Sequence, residues 1–257
     1  MTAAGKYLYC IIRCSEERTF DDVAPIGDAP GPIHTVHQDG LAVVLSDTPV
    51  TEYMSTRANM LAHERVQERV LREHTVLPVR FGTVADPTSP TEQIRRLLAK
   101  RHQEFGGLLA EMEGRVELGL KALWRDEKAI FEEIVAQNNA IRRLRDSLKG
   151  RSPEATHFDR IRLGEMVKAA IDRKKAVEAE RLLAPLRRLA DRTVENRVVV
   201  DRMIANAAFL VDKAREEEFD LAVSKLDSEM GDRVSFKYVG PVPPYNFVNI
   251  TVNWQEL

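Results

Sequence analysis

The segment Tyr238-Val239-Gly240-Pro241-Val242-Pro243-Pro244-Tyr245-Asn246-Phe247 decides how this chain is organised. Proline fixes φ at about −65° and has no backbone N–H, so neither a helix nor a central strand is expected through Pro241–Pro244. Aromatic and branched apolar side chains flank the prolines, which predicts a stiff, extended segment that packs against another surface. We therefore predict that residues 241–257 are a tail that docks on the N-terminal domain, through Pro241, Pro243, Pro244, Tyr245 and Phe247.

Upstream of the tail, residues 111–240 are predicted to form a ferredoxin-like α+β sandwich. Apolar and polar residues alternate along Arg115–Trp124, which indicates a half-buried strand with Glu117 on its polar side. Apolar residues at helical spacing from Phe219 to Met230 predict a helix that Gly231 ends. Further strands are expected at Met203–Val211 and Arg233–Val239, with an additional one near Val198–Val200.

A long αα-hairpin is predicted to interrupt this sandwich at residues 126–190. Its first helix is expected to run without a break from Ile130 to Leu148, because apolar residues recur there on one face. The Gly150–Pro153 segment then ends that helix, with Ser152 as the N-cap of the next one. The second helix is expected to continue to Leu189, with a kink or break at Pro185.

Residues 1–110 are predicted to form a smaller α+β domain. Its strands are Tyr7–Ile12, a hairpin whose turn is Asp39-Gly40, and Thr75–Val84, which Pro78 restricts to the edge of the sheet. A helix is expected from about Ser55 to His74, where Ala62, Val66 and Val70 recur every four residues. A second helix should open at the capping box Ser89-Pro90-Thr91-Glu92 and end near Phe105, before Gly106-Gly107.

The composition excludes several classes of partner. The 257 residues hold 38 Lys and Arg against 40 Asp and Glu, a formal charge of −2, so no overall field attracts nucleic acid. No apolar run reaches the ~18 residues that a membrane span needs, and the N-terminus lacks the pattern of a secretion signal. We therefore expect a cytoplasmic protein with neither nucleic acid nor a membrane as partner.

The sequence also argues against enzyme chemistry. It contains no phosphate-binding glycine loop and no nucleophile elbow, and its six histidines do not form a ligand cluster. Cys10 and Cys14 are expected to be reduced, because a strand separates their Cα atoms by ~13 Å. His63 shares a helical face with Val66 and Val70 and is expected to be a hydrogen-bonded core residue. We predict no catalytic residue, no cofactor and no metal site.

Two groups of charges remain open to more than one interpretation. Arg80 lies among apolar residues in Leu77-Pro-Val-Arg-Phe-Gly-Thr83, so we expect a buried guanidinium paired with a carboxylate or carbonyl group. The cations of the other group follow one another at the end of a predicted helix, where they would complement its dipole, although an acidic partner is the alternative. That group consists of Arg142, Arg143, Arg145, Lys149 and Arg151.

Three motifs together resemble the gas vesicle synthesis protein L/F family. They are Leu77–Val84 after the helix with His63, then Asn206-Ala-Ala-Phe-Leu-Val211, and the closing Tyr238–Phe247 segment. The resemblance spans nearly the whole chain in the right order. One departure is Val242, where relatives tend to carry tryptophan.

The resemblance implies a non-enzymatic accessory or minor structural protein, located at the gas vesicle. Its implied partners are the very hydrophobic main shell protein and other gas vesicle accessory proteins, with a role in nucleation or early growth. The sequence offers two surfaces for the shell protein, a sheet edge open to β-augmentation and the grooves of the αα-hairpin. We favour the edge at Thr75–Val84, with Val79, Arg80 and Phe81 as the contacting residues. The alternative function is a ferredoxin-like RNA-binding or small-molecule-sensing regulator, which the fold by itself does not exclude.

Overall fold

The computed structural model describes residues 5–28, 31–85 and 87–256, which form two compact units. Unit 1 extends to Glu117 and resumes at Gly240, whereas unit 2 is Leu118–Val239. The outermost residues of the ranges predicted for the N-terminal domain and the tail, 1–4 and 257, lie outside the described residues. In the described part of the chain, no helix is both long and apolar enough to span a membrane.

Unit 1 is built on a six-stranded sheet in the order β2-β3-β4-β1-β5, with β6 also paired to β1. The β3–β4 hairpin is confirmed, and its turn uses positive φ angles at Asp39 (52°) and Gly40 (83°), as an Asp-Gly turn requires. The strands are β1 Gly5–Arg13, β2 Thr19–Phe20, β3 Ile33–Gln38, β4 Leu41–Thr48, β5 Leu77–Pro78 and β6 Val84–Ala85.

The single strand predicted at Thr75–Val84 is wrong. Only Leu77–Pro78 and Val84–Ala85 pair with β1, and a turn separates them. Gly82 has a φ of 82° in that turn, and the Thr83 hydroxyl donates to the Arg80 carbonyl at 2.7 Å. The alternation of apolar residues did not reveal this turn, because a glycine can reverse the chain without any change in hydrophobic pattern.

Three helices pack in unit 1: α1 Arg57–Leu71, α2 Pro90–Lys100 and α3 His102–Met112. The second predicted helix was expected to end near Phe105, yet α3 continues through both glycines to Met112. Phe105, Leu109 and Met112 are buried on one face of α3. Burying three such side chains contributes several kcal/mol, which exceeds the roughly 1 kcal/mol that each helical glycine costs.

Unit 2 contains a four-stranded sheet in the order β10-β7-β9-β8, the strand order of a ferredoxin-like fold. The additional strand is β8, Arg192–Glu195, and its prediction near Val198–Val200 is wrong. Those valines lie in an exposed loop that returns to β9. β10 runs on through Pro241, which is compatible with its place at the sheet edge. The other strands are β7 Arg115–Trp124, β9 Met203–Asp212 and β10 Val234–Val242.

The helices of unit 2 are α4 Glu127–Gln137, α5 Asn139–Ser147, α6 His157–Arg187 and α7 Glu216–Met230. The unbroken helix predicted from Ile130 to Leu148 is wrong, because Asn138 divides it. Asn138 adopts an extended conformation, and its Oδ1 accepts from the Ala140 and Ile141 N–H groups, so it caps α5. Pro185 does not end α6, which continues two residues further to Arg187.

Candidate partner-binding groove

The residues predicted for partner binding lie beside the C-terminal segment of unit 1. Val79 forms an isolated parallel bridge with Ile250, and the Arg80 N–H donates to the Ile250 carbonyl at 3.3 Å. The Val79 N–H donates to the Tyr9 carbonyl at 3.0 Å. The chain's own C-terminal segment therefore occupies the edge that we expected to be open, so β-augmentation at Val79 is not available.

The three predicted residues differ in exposure. Val79 is 2% exposed and belongs to the core. Phe81 is half-buried, with its ring centroid 5.7 Å from that of His63. Arg80 is exposed, and its guanidinium has no hydrogen-bond or ion-pair partner among the described residues, so the prediction of a buried, paired arginine is wrong. The difference arises because the expected strand is interrupted here: Arg80 directly precedes the Phe81–Gly82 turn and is exposed.

These residues line a cleft of about 440 Å³, which we call the tail groove. Helix α1 forms one side, the 78–81 segment another and the C-terminal segment a third. Its walls combine apolar and polar groups, and the charged ones are the exposed Arg80 and the half-buried Glu64. The full lining is His63, Glu64, Pro78, Val79, Arg80, Phe81, Tyr245, Val248, Asn249 and Ile250.

A chain of buried hydrogen bonds supports the floor of the tail groove. The Gly82 N–H donates to the Tyr7 hydroxyl at 3.2 Å, and that oxygen lies 2.9 Å from His63 Nδ1. His63 Nε2 lies 3.2 Å from the Val79 carbonyl oxygen, which can only accept. His63 Nε2 also lies 2.8 Å from Gln67 Nε2, which can only donate, so its two neighbours favour opposite tautomers of the neutral ring. Every member of this chain is neutral.

Burial sets the charge state of this floor. Desolvation lowers the pKa of His63 to about 4, although the bond to the Val79 carbonyl opposes the shift. His63 is therefore uncharged at neutral pH, and the prediction of a hydrogen-bonded core histidine is confirmed. Gln67, fully buried one turn along α1, donates to the Tyr9 carbonyl at 2.5 Å. No sequence pattern pointed to Gln67, whose partners include the backbone carbonyls of Tyr9 and Val79.

The five tail residues that were predicted to dock differ in their solvent exposure. Pro243 and Pro244 are buried and Phe247 is half-buried, whereas Pro241 and Tyr245 are exposed. The expectation of an extended segment is wrong beyond Pro244, because the Phe247 and Val248 N–H groups both donate to the Pro244 carbonyl and form a turn.

Two further buried side chains of the tail were not predicted. Val248 is 5% exposed and Ile250 is 1% exposed, and both line the tail groove. The signal was present in the sequence as an alternation of Val248, Ile250 and Val252 with polar residues. The predicted contacts end at Phe247, just before this alternation begins, so they do not include its buried side.

Glu117 holds the turn of the tail in place. It is 3% exposed, and its two carboxylate oxygens accept from the Asn246 N–H at 2.8 Å and from Asn246 Nδ2 at 2.6 Å. Burial raises its pKa, and the two hydrogen bonds from Asn246 oppose that shift. The prediction of Glu117 on a polar strand face is wrong, because the tail covers that face and supplies donors for the carboxylate.

The fold defines the class of protein: an α+β chain with two antiparallel sheets and seven helices in its described part. A family model for "Gas vesicle synthesis protein GvpL/GvpF" matches residues 5–249. The chain therefore belongs to the GvpL/GvpF family, which confirms the resemblance drawn from the three motifs.

Curated relatives and solved structures agree with this assignment. Gas vesicle protein F of Microcystis aeruginosa is 28% identical over 249 residues, which cover 96% of this chain and 98% of that protein. Gas vesicle protein F of a Streptomyces species is 29% identical, covering 94% and 98% of the two chains. The crystal structure of GvpF from Anabaena matches with a TM-score of 0.81 and 25% identity, covering 97% of this chain and 100% of that one. The α+β fold class predicted from the sequence is thereby confirmed.

Proposed function

We propose that this chain is a non-enzymatic accessory or minor structural protein that binds the hydrophobic main shell protein and supports nucleation or assembly of the gas vesicle. Its membership of the GvpL/GvpF family supports action at the gas vesicle, alongside other gas vesicle accessory proteins. A shell subunit with a large apolar face would aggregate before assembly. A partner that covers part of this face would keep the subunit soluble and able to assemble.

We propose the tail groove as the contact surface. The observation that carries this choice is a cleft that combines apolar side chains with a solvent-exposed arginine that no described residue neutralises. Its apolar side chains match an apolar segment, and Arg80 would pair with an acidic side chain at the edge of that segment. The neutral hydrogen-bonded floor holds the walls in one arrangement, so little conformational entropy would be lost on binding.

The test is co-expression with the main shell protein, followed by affinity capture and size-exclusion chromatography. The double variant Arg80→Glu/Tyr245→Ser changes two exposed residues of the groove and leaves buried Val79 intact. We expect at least a tenfold loss of captured shell protein, because the variant removes an apolar wall and reverses the charge at the rim. Charged residues at Val79 would give no clear answer, since they would disrupt the core.

Leu221→Ser/Lys225→Glu on α7 is the matched control, because it also removes one exposed apolar side chain and reverses one exposed cation. It should capture as much shell protein as the unaltered chain. Thermal melting must show that both variants are folded. Undiminished capture by the folded Arg80→Glu/Tyr245→Ser variant would contradict the groove as the contact surface. Absence of capture by the unaltered chain would contradict binding of the shell protein itself.

A further inference from the structure

Helix α6 is poorly covered over most of its length. It has 31 residues, yet its fully buried residues Leu182, Leu183 and Leu186 all lie within its last six positions. Between His157 and Val177 every side chain is at least partly exposed. Phe158 is 84% exposed and Val177 is 71% exposed. A helix of ordinary amphipathic character would bury one face along its whole length.

The same region carries a strong local charge. Residues 139–177, which we call the helical arm, contain 11 Lys and Arg against 5 Asp and Glu, a formal charge of +6 within a chain of −2. The guanidinium groups of Arg162 and Arg173 are exposed and have no hydrogen-bond or ion-pair partner among the described residues. Arg162 and Arg173 therefore present positive charge that no described residue neutralises.

Apolar and basic side chains recur along one exposed face of the arm, which also carries the exposed Glu165 between Arg162 and Ala169. Spacings of four, seven, four and four residues bring five exposed residues of α6 onto the same side of the helix. They extend over about 29 Å at 1.5 Å per residue. In chain order they are Phe158, Arg162, Ala169, Arg173 and Val177, which we call the arm stripe.

We infer that the arm stripe binds an acidic amphipathic helix of a partner protein. An apolar side chain at each end needs an apolar partner, and the two unpaired arginines between them need carboxylates. Such a helix, with acidic side chains about 17 Å apart, would meet both requirements along the stripe. This surface is separate from the tail groove, so it does not depend on the proposed contact with the shell protein.

The stripe's own neighbours favour a protein over a polyanion. Glu165 and Asp172 are exposed next to it, with Asp172 in an ion pair with Lys168 at 2.7 Å. Carboxylates at these positions would repel the continuous phosphates of a nucleic acid or the headgroups of an anionic membrane. A helix can place its acidic residues opposite Arg162 and Arg173 alone, and so keep them away from Glu165 and Asp172.

The test uses the full chain and a fluorescent 21-residue helical peptide with a Leu/Phe face flanked by glutamates. Binding is followed by fluorescence anisotropy at 50 and 300 mM NaCl. We expect Arg162→Glu/Arg173→Glu to weaken binding at least tenfold, and replacement of the peptide glutamates by glutamine to do the same. Higher salt should weaken binding severalfold. The matched control is Arg95→Glu/Lys225→Glu, which changes the net charge equally at exposed positions elsewhere and should bind as the unaltered chain does.

Three results would overturn the inference. The first is equal binding by the Arg162→Glu/Arg173→Glu variant when circular dichroism shows that it is folded. The second is tighter retention of a 20-base-pair DNA duplex or of phosphatidylserine vesicles than of the peptide, which would assign the stripe to a polyanion or a membrane. The third is salt-sensitive self-association of the unaltered chain that the variant loses, which would make a second copy the occupant.

Discussion

The two units each hold a polar cluster beneath a surface cleft, and the two clusters are built from different chemistry. In unit 1 the neutral cluster consists of Tyr7, His63, Gln67 and the Val79 carbonyl, all deep in the core. In unit 2 the ionic cluster consists of Trp124, Glu133, Lys174, Glu178 and Arg233. The first uses backbone carbonyls as acceptors, whereas the second uses two carboxylates.

The ionic cluster joins α4, α6, the end of β7 and Arg233, the residue directly before β10. Arg233 Nη2 lies 2.8 Å from Glu133 and 2.9 Å from Glu178, while Lys174 lies 2.8 Å from Glu133. Glu178 also accepts from the indole N–H of buried Trp124 at 2.6 Å. Burial works against ionisation of Glu133, but the bonds from Lys174 and Arg233 outweigh it and lower its pKa.

The difference in chemistry between the two clusters follows from how deeply each one is buried. A fully buried site cannot hold an unpaired charge, so the neutral cluster keeps a histidine uncharged and relies on backbone acceptors. A half-buried site keeps its ions partly hydrated, which reduces the desolvation cost of the ionic cluster. Polar contacts are therefore available to hold the weakly covered helix α6 on unit 2, where apolar burial is limited to its last turns.

The largest effect is expected from Glu178→Ala. It should lower the free energy of unfolding by about 3–4 kcal/mol. The substitution removes the acceptor of the Trp124 N–H, and it leaves Glu133 as the one carboxylate of the cluster that pairs with Lys174 and Arg233. Urea denaturation at pH 7 measures the change. Glu180→Ala removes an exposed carboxylate two residues away and should have no measurable effect. A loss at Glu178 no larger than that at Glu180 would show that the ionic cluster contributes little.

The second prediction is that the two clusters lose their contributions to stability over different pH ranges. The pKa of His63 is about 4 in the fold and 6.5 in the unfolded chain, so only the unfolded chain takes up the proton between these values. Stability should therefore fall as the pH drops from about 6.5 to about 4, by roughly 3 kcal/mol in total. Glu133, with its lowered pKa, should lose its contribution only as the pH falls below its ordinary value of 4.5.

Urea denaturation at several pH values between 7 and 4.5 tests this order. The variant His63→Gln keeps a neutral polar side chain at this position and should remove most of the slope in that range. If the slope persists in His63→Gln, its source lies elsewhere, and the buried histidine is not the group that titrates.

Features encoded by neighbouring residues were predictable from the sequence. The Asp39-Gly40 turn needs only two residues with positive φ, and the helix after Pro90 needs only a proline at its start. Failures occurred where a distant segment decides the outcome. Glu117 is buried because Asn246, far along the chain, covers it. α3 passes two glycines because its apolar face packs against the rest of unit 1.

The candidate site was predictable in part. Val79, Arg80 and Phe81 were predicted as contacts because Thr75–Val84 was expected to be an edge strand, and all three line the tail groove although that strand is interrupted. The other side of the tail groove, formed by the C-terminal segment, was not predicted. It depends on which face of the Val248–Ile250 segment turns inward. That choice follows from the turn after Pro244 and from the bridge to Val79, neither of which leaves a local signal.

The smallest effect is expected at Glu117, which combines features of both clusters. It is a carboxylate, like the acceptors of the ionic cluster, but its donors are the neutral groups of Asn246. Glu117→Gln keeps one acceptor oxygen and replaces the other by an NH2 group that cannot accept from Asn246. The lost bond should cost about 1 kcal/mol, partly offset because an amide is cheaper to bury than a carboxylate.

Hydrogen exchange at the amide of Asn246 measures this loss locally, with an expected decrease in protection of about fivefold to tenfold. Glu113→Gln is the control, since Glu113 is exposed and pairs with Arg13. The pH response should oppose that of His63: burial raises the pKa of Glu117, so its contribution to stability improves as the pH falls. Unchanged exchange in Glu117→Gln would mean that Val248 and Ile250 hold the tail by apolar packing alone, and that the carboxylate is tolerated rather than required.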